Sequence, residues 1–185
     1  MDPTIRDARR EDLPSMTGIL NQLIAATTAI WTLRPTTLEA RTAWLEERRA
    51  RGFPVLVAQE AGGPLLGFAS FGDFRPWEGY AGTVEHSVYV DAPARRRGVG
   101  RALLASLIDR AEARGLHAMV GGIEAGNTAS LALHAALGFR EVGRLPEVGR
   151  KFDRWLDLVF VERLLVSSAA APCRDSSGYP DRARA

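Results

Sequence analysis

The chain has 185 residues, 46% hydrophobic and 25% charged, the composition of a globular protein rather than a disordered or fibrous one. That length holds one ordinary domain with a proper core and excludes two. Its net charge of +2, at a pI near 9.1, lacks the single-sign excess that nucleic-acid binding uses, so no nucleic-acid partner is expected.

Cys173 is the only cysteine, which excludes an internal disulfide and a cysteine-based metal site, and no metal is expected. Met1 to Arg10 is charged and lacks the apolar run of a signal peptide. No apolar stretch reaches the roughly 18 residues needed to cross a bilayer. The expected compartment is the cytoplasm, with no membrane partner.

In chain order, Thr4 to Arg6 reads as a short strand. A helix follows, with Asp12 as its N-cap, Pro14 in the first turn, and Leu13, Met16, Ile19, Leu20, Leu23 and Ile24 as one apolar stripe. Thr27 to Pro35 is a loop, and a second helix runs from Leu38 to Arg51, ending near Gly52. Phe53 to Ala58 is a continuous apolar run of the kind covered on both faces. The turn Ala61-Gly62-Gly63-Pro64 makes it a hairpin with Leu65 to Phe71. An aromatic loop, GDFRPWEGY, leads into a third strand from Gly82 to Val90.

Strands and helices then alternate. A helix over Gly98 to Arg114 precedes a strand over Ala118 to Ile123 and a helix over Asn127 to Leu137. The final strands are Glu141 to Leu145 and Asp153 to Leu165. This order predicts a single α/β domain over 1–166 with a mixed sheet. The small, polar stretch 167–185 predicts a disordered tail.

Two segments carry chemistry. Arg95-Arg96-Arg97-Gly98-Val99-Gly100 lies between an apolar strand and an amphipathic helix. Its glycines permit positive φ and close approach, and the free N–H groups of a helix start attract an anion. Arg95, Arg96, Arg97 and Arg101 add charge suited to a pyrophosphate. Neither GxxxxGK[ST] nor GxGxxG after a first strand is present. In TVEHSVYV, Thr83, Glu85, Ser87 and Tyr89 share one face, and Val84, His86, Val88 and Val90 share the other. A central strand makes Glu85 a partly buried carboxylate whose desolvation raises its pKa toward that of a usable base. His86 reads first as a hydrogen-bonded structural histidine, and Ser87 lacks the partners of a nucleophile.

Together these segments resemble the GNAT superfamily of N-acetyltransferases: Arg95, Gly98 and Gly100 match RxxGxG/A, and Asn127, Leu133, Gly138 and Phe139 match its asparagine-led helix. TVEHSVYV, FGDFRPWEGY and VGRKFDRWLDLVF are similar to the phosphinothricin acetyltransferase group, and within it to enzymes that acetylate methionine sulfoximine and methionine sulfone. The resemblance implies a mixed central sheet flanked by helices, acetyl-CoA as co-substrate, a small amino-acid-like amine and a homodimer. It implies that Val88, Tyr89 and Val90 bind the pantetheine arm through backbone groups, Arg96 to Arg101 (Val99 included) hold the pyrophosphate, and Asn127 reaches the pantetheine. Glu85 is then the general base. The substrate set is Arg75, Pro76, Trp77, Glu85, His86 and Ser87, with Arg75 on a carboxylate and Trp77 as an apolar wall; Thr28, Ile30 and Trp31 complete the pocket.

The family places a tyrosine seven residues after the helix asparagine to protonate the departing thiolate, whereas this chain has His134. His134 is either that acid or a packed helix histidine. Two rival functions remain open at this point: acetylation of a protein N-terminus or lysine, and a non-catalytic acyl-CoA sensor.

Overall fold

The computed structural model describes residues 3–165, so the expected tail at 167–185 lies outside the described residues. Seven strands form one sheet in the order β1-β2-β3-β4-β5-β7-β6, with β1 Thr4–Asp7, β2 Val55–Gln59, β3 Leu65–Asp73, β4 Thr83–Val90, β5 Ala118–Glu124, β6 Arg140–Lys151 and β7 Arg154–Leu164. Four helices cover it: α1 Leu13–Ala26, α2 Leu38–Ala50, α3 Val99–Ala113 and α4 Thr128–Ala135. The expected mixed sheet flanked by helices is the observed architecture.

Each face has its own core. Leu13, Met16, Leu20 and Leu23 of α1 pack with Leu45 of α2 on Val55, Val57 and Phe68. Leu103, Leu104, Leu107 and Ala111 of α3 pack on Leu56, Ala69, Val84 and Met119 from the opposite side. The sheet lies between them, which is why β2 and β3 are apolar at nearly every position.

Neighbouring strands are antiparallel except β4 and β5, which the α3 crossover makes parallel. That pairing is short. It joins Thr83, Val84 and Glu85 to Ala118, Met119 and Val120 and goes no further, whereas β3 follows β4 as far as Val90. From His86 to Val90 the edge of β4 facing β5 is open, so a wedge forms in mid-sheet.

Three expectations change. Asp12 is not a side-chain cap for α1. Its carboxylate accepts from both terminal nitrogens of Arg6 at 2.7 and 2.8 Å and from the Arg9 N–H at 2.7 Å, closing the turn before the helix. A bidentate guanidinium is the stronger partner for a carboxylate, and it holds Asp12 below its ordinary pKa. Second, β6 runs from Arg140 to Lys151 instead of stopping near Leu145. The strand contains Pro146, which an edge strand tolerates because proline there removes no needed ladder bond, and the register shift between Leu145 and Gly149 absorbs it. Third, α4 is shorter than expected at both ends: Asn127 caps it from outside by accepting from Ser130 N–H at 3.2 Å, and three-residue bonds from Leu137 and Gly138 N–H close its last turn ahead of Gly138 at φ +82°.

Candidate functional site

Two clefts open on either side of β4 near the wedge, and Ser87 and Tyr89 line both. The first, about 100 Å³, lies on the α1/α2 face against Glu85, Phe68 and Ser70. The second, about 90 Å³, lies between β4 and β5 against Val88, Gly121, Gly122, Asn127, Ser130 and His134. The alternation of β4 therefore separates its functions: Glu85, Ser87 and Tyr89 share one face, while Val84, His86, Val88 and Val90 point toward α3 and α4.

Glu85 is half buried where β4 parts from β5. Burial raises its pKa, and the Arg75 guanidinium, with Nη1 3.9 Å from Oε2, partly opposes that rise. Such a carboxylate can accept a proton nearer neutral pH than a solvated one. Arg75 is stacked on the Phe74 ring at 4.1 Å and donates to the Phe74 carbonyl at 2.6 Å, which holds it beside Glu85.

The basic turn enters α3 with Gly98 at φ +80°, in the left-handed region that favours glycine, and Arg96 at φ +64°. The first bond into the helix runs from Ala102 N–H to Gly98 carbonyl at 3.0 Å, so the N–H groups of Val99, Gly100 and Arg101 precede the ladder at the positive end of the helix. Arg95, Arg96, Arg97 and Arg101 are all exposed around it, and Arg97 pairs with Glu60. The concave N–H array and its ring of guanidinium groups suit a pyrophosphate, and the open β4 edge leads from Glu85 toward it. Among the described residues no group of three or more His, Cys, Asp or Glu side chains is arranged to hold a metal ion. No helix among them is long and apolar enough to cross a membrane.

The rest of the expected site divides. Val88, Tyr89, Val90 and Asn127 flank the wedge, and Asn127 Nδ2 has no partner among the described residues because only its oxygen serves the cap. Pro76 and Trp77 line neither cleft; Trp77 is 63% exposed and tilts against Tyr80 at 6.3 Å. Thr28 donates to Glu124 Oε2 at 3.0 Å, and Trp31 Nε1 donates to the Thr28 carbonyl at 2.8 Å. The loop holding them is pinned by Lys151, whose buried ammonium donates at 2.6 Å to the carbonyls of both Ile24 and Ile30.

His86 and His134 are both buried and meet Nε2 to Nε2 at 2.8 Å, a pairing between residues 48 positions apart that the sequence conceals. Arg41, Trp44 and Arg48 of α2 also line the first cleft; their three- and four-residue spacing puts them on one helix face, the only signal of them in the sequence. Arg41 stacks on Trp44 at 3.6 Å, and its Nε and Nη2 are buried with no hydrogen-bond partner among the described residues. Burial, with the nearby Arg48 charge, lowers its pKa to about 10. The first cleft is therefore cationic on its helix wall and carboxylate-bearing on its strand wall.

The acetyltransferase (GNAT) family model matches residues 17–139. An L-methionine sulfoximine/L-methionine sulfone acetyltransferase of Pseudomonas aeruginosa is 51% identical over 93% of this chain and 100% of its own length. A solved structure of a putative acetyltransferase from Salmonella typhimurium with its cofactor acetyl-CoA superposes with a TM-score of 0.87 at 46% identity, covering 93% of this chain and 99% of that one. A ribosomal-protein-alanine N-acetyltransferase from Brucella melitensis superposes with a TM-score of 0.85 at 51% identity, over 88% of this chain and 99% of that one. This chain belongs to the GNAT family of acetyltransferases.

Proposed function

We propose that the protein moves the acetyl group of acetyl-CoA onto the α-amine of a small amino-acid-like substrate of the methionine sulfoximine, methionine sulfone or phosphinothricin type. One observation carries the reading: a half-buried carboxylate of raised pKa, Glu85, stands where the sheet opens, with a cationic pocket on one side and an open strand edge on the other. The likeness to relatives with that activity supports it.

Each part of the chain has a task. Arg95 to Arg101 hold the pyrophosphate, with the N–H groups of Val99, Gly100 and Arg101 facing it. The open edge at Val88, Tyr89 and Val90 takes the pantetheine arm, and the Asn127 amide reaches it. A backbone N–H on this edge stabilises the oxygen that gains charge as the amine attacks, a preorganised electrostatic term. Glu85 removes the ammonium proton directly or through a water. Arg75, fixed 3.9 Å from Glu85, holds the substrate carboxylate beside its own amine. Ser87 bounds the amine's position; His86, expected beside it, is instead buried on the opposite face against His134, and Pro76 and Trp77 belong to the exposed loop that leads into β4.

The same reading includes a cytoplasmic enzyme that acts on small molecules rather than nucleic acid or membranes, and a homodimer. Leu145, Val148, Phe152 and Trp155 of the β6–β7 hairpin are exposed apolar side chains at a sheet edge, the kind of patch that a second copy covers. Sedimentation of the purified chain should give twice the monomer mass at micromolar concentration; a monomer there removes the dimer.

Thiol release from acetyl-CoA, followed across a panel of amines, tests the substrate. Methionine sulfoximine, methionine sulfone or phosphinothricin should give the highest kcat/KM. Silence from all three while another amine reacts would remove this substrate class.

A further inference from the structure

The contact between His86 of β4 and His134 of α4 poses a question of proton number. Their Nε2 atoms are 2.8 Å apart. The outer nitrogens face carbonyl oxygens: His86 Nδ1 is 2.8 Å from Val120 O, and His134 Nδ1 is 2.7 Å from Ser130 O. A carbonyl only accepts, so both Nδ1 atoms must carry protons. The central contact needs one more, since two bare lone pairs at that distance repel. The observed geometry therefore calls for three protons on two rings, which is one imidazolium beside one neutral imidazole.

A second arrangement satisfies every group with one proton fewer. The Ser130 hydroxyl lies 3.4 Å from His134 Nδ1. If it donates to Nδ1, then Oγ–H to Nδ1, Nε2–H to Nε2 and Nδ1–H to Val120 O form a chain that runs in one direction. The two arrangements differ by a single proton, and by whether His134 Nδ1 faces the carbonyl or the hydroxyl of the same serine.

The surroundings hold the rings in place. Phe139 packs on both at 5.2 Å, and Gly121 of β5 and Val161 of β7 close around His86. Val120 and Gly121 from β5, Ser130 from α4 and Val161 from β7 bring no charge. Glu85, the neighbour on β4, belongs to the opposite face. Glu124, at the end of β5, lines the same cleft and accepts from Thr28 Oγ1 and Gly126 N–H. Burial lowers the pKa of both histidines, so the extra proton is held against desolvation by the three contacts alone. Ser130 and His134 line the cleft with Asn127.

We propose that Ser130, His134 and His86 form a proton relay that rests with one shared proton and delivers it through the Ser130 hydroxyl to the sulfur of the departing coenzyme A. This rests on the acetyl-transfer reading above. The Ser130 O–H bond breaks as the S–H bond forms. The His134 Nδ1–H bond breaks as Oγ regains a proton, leaving Nδ1 accepting from that hydroxyl. The rings end neutral, the thiolate ends as a thiol, and no atom changes oxidation state. A solvent proton recharges the pair; Glu85 takes one proton from the substrate ammonium and passes it to solvent, and the second N–H proton leaves the tetrahedral adduct to solvent, so each turnover releases one proton net. His134 thus acts without presenting a free nitrogen to the cleft, and His86 is a positioning residue that shares its proton.

Nitrogen-15 NMR of the histidine-labelled full chain without ligands tests the resting state. Both Nδ1 atoms should be protonated between pH 6 and 8, with the Nε2 signals averaged between imidazole and imidazolium. Two neutral rings with His134 Nδ1 bare throughout that range would overturn the proposal. Ser130→Ala should leave KM for acetyl-CoA in place and lower kcat about 10²-fold, and Ser130→Thr should restore most of it. His86→Asn, which removes the shared proton, should flatten the fall of kcat on the basic side of its pH profile while leaving the rising limb set by Glu85. An unchanged kcat in Ser130→Ala would also overturn the relay. If the wild-type chain releases no thiol with any amine, acetyl transfer fails, while the NMR still reads the pair by itself.

Discussion

Glu85→Gln is expected to lower kcat/KM about 10²–10⁴-fold while acetyl-CoA affinity stays within about threefold, since positioned general bases contribute on that scale. The substitution keeps shape and removes only the proton-accepting charge. The coenzyme's proposed contacts, the basic turn and the edge beyond His86, do not involve that carboxylate. Stopped-flow kinetics and isothermal titration read the two quantities separately. A sensor that only binds acyl-CoA would show no turnover in either form, and a base located elsewhere would leave Glu85→Gln active.

The pH dependence follows from the same residue. Burial raises the Glu85 pKa and Arg75 pulls it back. Only the ionised carboxylate takes a proton, so kcat/KM should climb through a limb above the usual carboxylate range. Arg75→Ala should move that limb further up in pH. For stability the sign reverses. A carboxyl with a raised folded pKa binds its proton more tightly in the folded state, so its ionisation at neutral pH destabilises the fold. Glu85→Gln should therefore unfold at an equal or higher temperature than wild type at pH 7, showing that lost activity is not lost structure.

Gly121→Ala is the second large effect expected. A Cβ there would sit 2.6 Å from His86 Cε1 and 3.3 Å from Val161 Cγ2. The ring has no room to retreat, because hydrogen bonds of 2.8 Å hold both of its nitrogens. Overpacking of this kind costs about 1–3 kcal/mol, and each kcal/mol lowers Tm by roughly 2–4 °C in a domain of this size. Gly122→Ala is the control, since its nearest neighbour is Leu158 Cδ1 at 3.4 Å, an ordinary contact. Calorimetry that shows equal Tm losses for the two variants would contradict the tight seating of His86.

What the sequence revealed depended on whether the signal was local. The two-residue period of TVEHSVYV separated Glu85 from His86 correctly, because a strand leaves no other choice. Gly98 announced its turn for a similar reason: few other residues accept its left-handed backbone, whereas Gly100 lies within the helix. The hairpin of β2 and β3 was visible in its Gly-Gly-Pro turn. Features built by long-range packing were hidden. Arg6 takes Asp12 from its expected cap, and the edge position of β6 makes Pro146 harmless; neither fact is written near the residue concerned. The apolar wall at Trp77 is implied by the family resemblance alone, and the structure places that ring on its exposed loop, tilted against Tyr80. Arg41, Trp44 and Arg48 had a readable spacing, but two arginines on a helix look like a solvated face until the sheet is folded beneath them. His134 stood out as a departure from the family tyrosine, and only the meeting of α4 with β4 supplied its partner.

The rival acceptor is a protein N-terminus, since a similar structure bears the name of a ribosomal-protein-alanine acetyltransferase. A competition separates the two most directly. The chain is given acetyl-CoA with equimolar methionine sulfone and an alanine-ended peptide, and mass spectrometry identifies which amine gains the acetyl group. Acetyl on the α-amine of methionine sulfone in at least about 100-fold excess, a transition-state difference of about 2.7 kcal/mol, is the expected result. Acetyl mainly on the peptide, with methionine sulfone untouched, would contradict the small amino-acid acceptor on which the account rests.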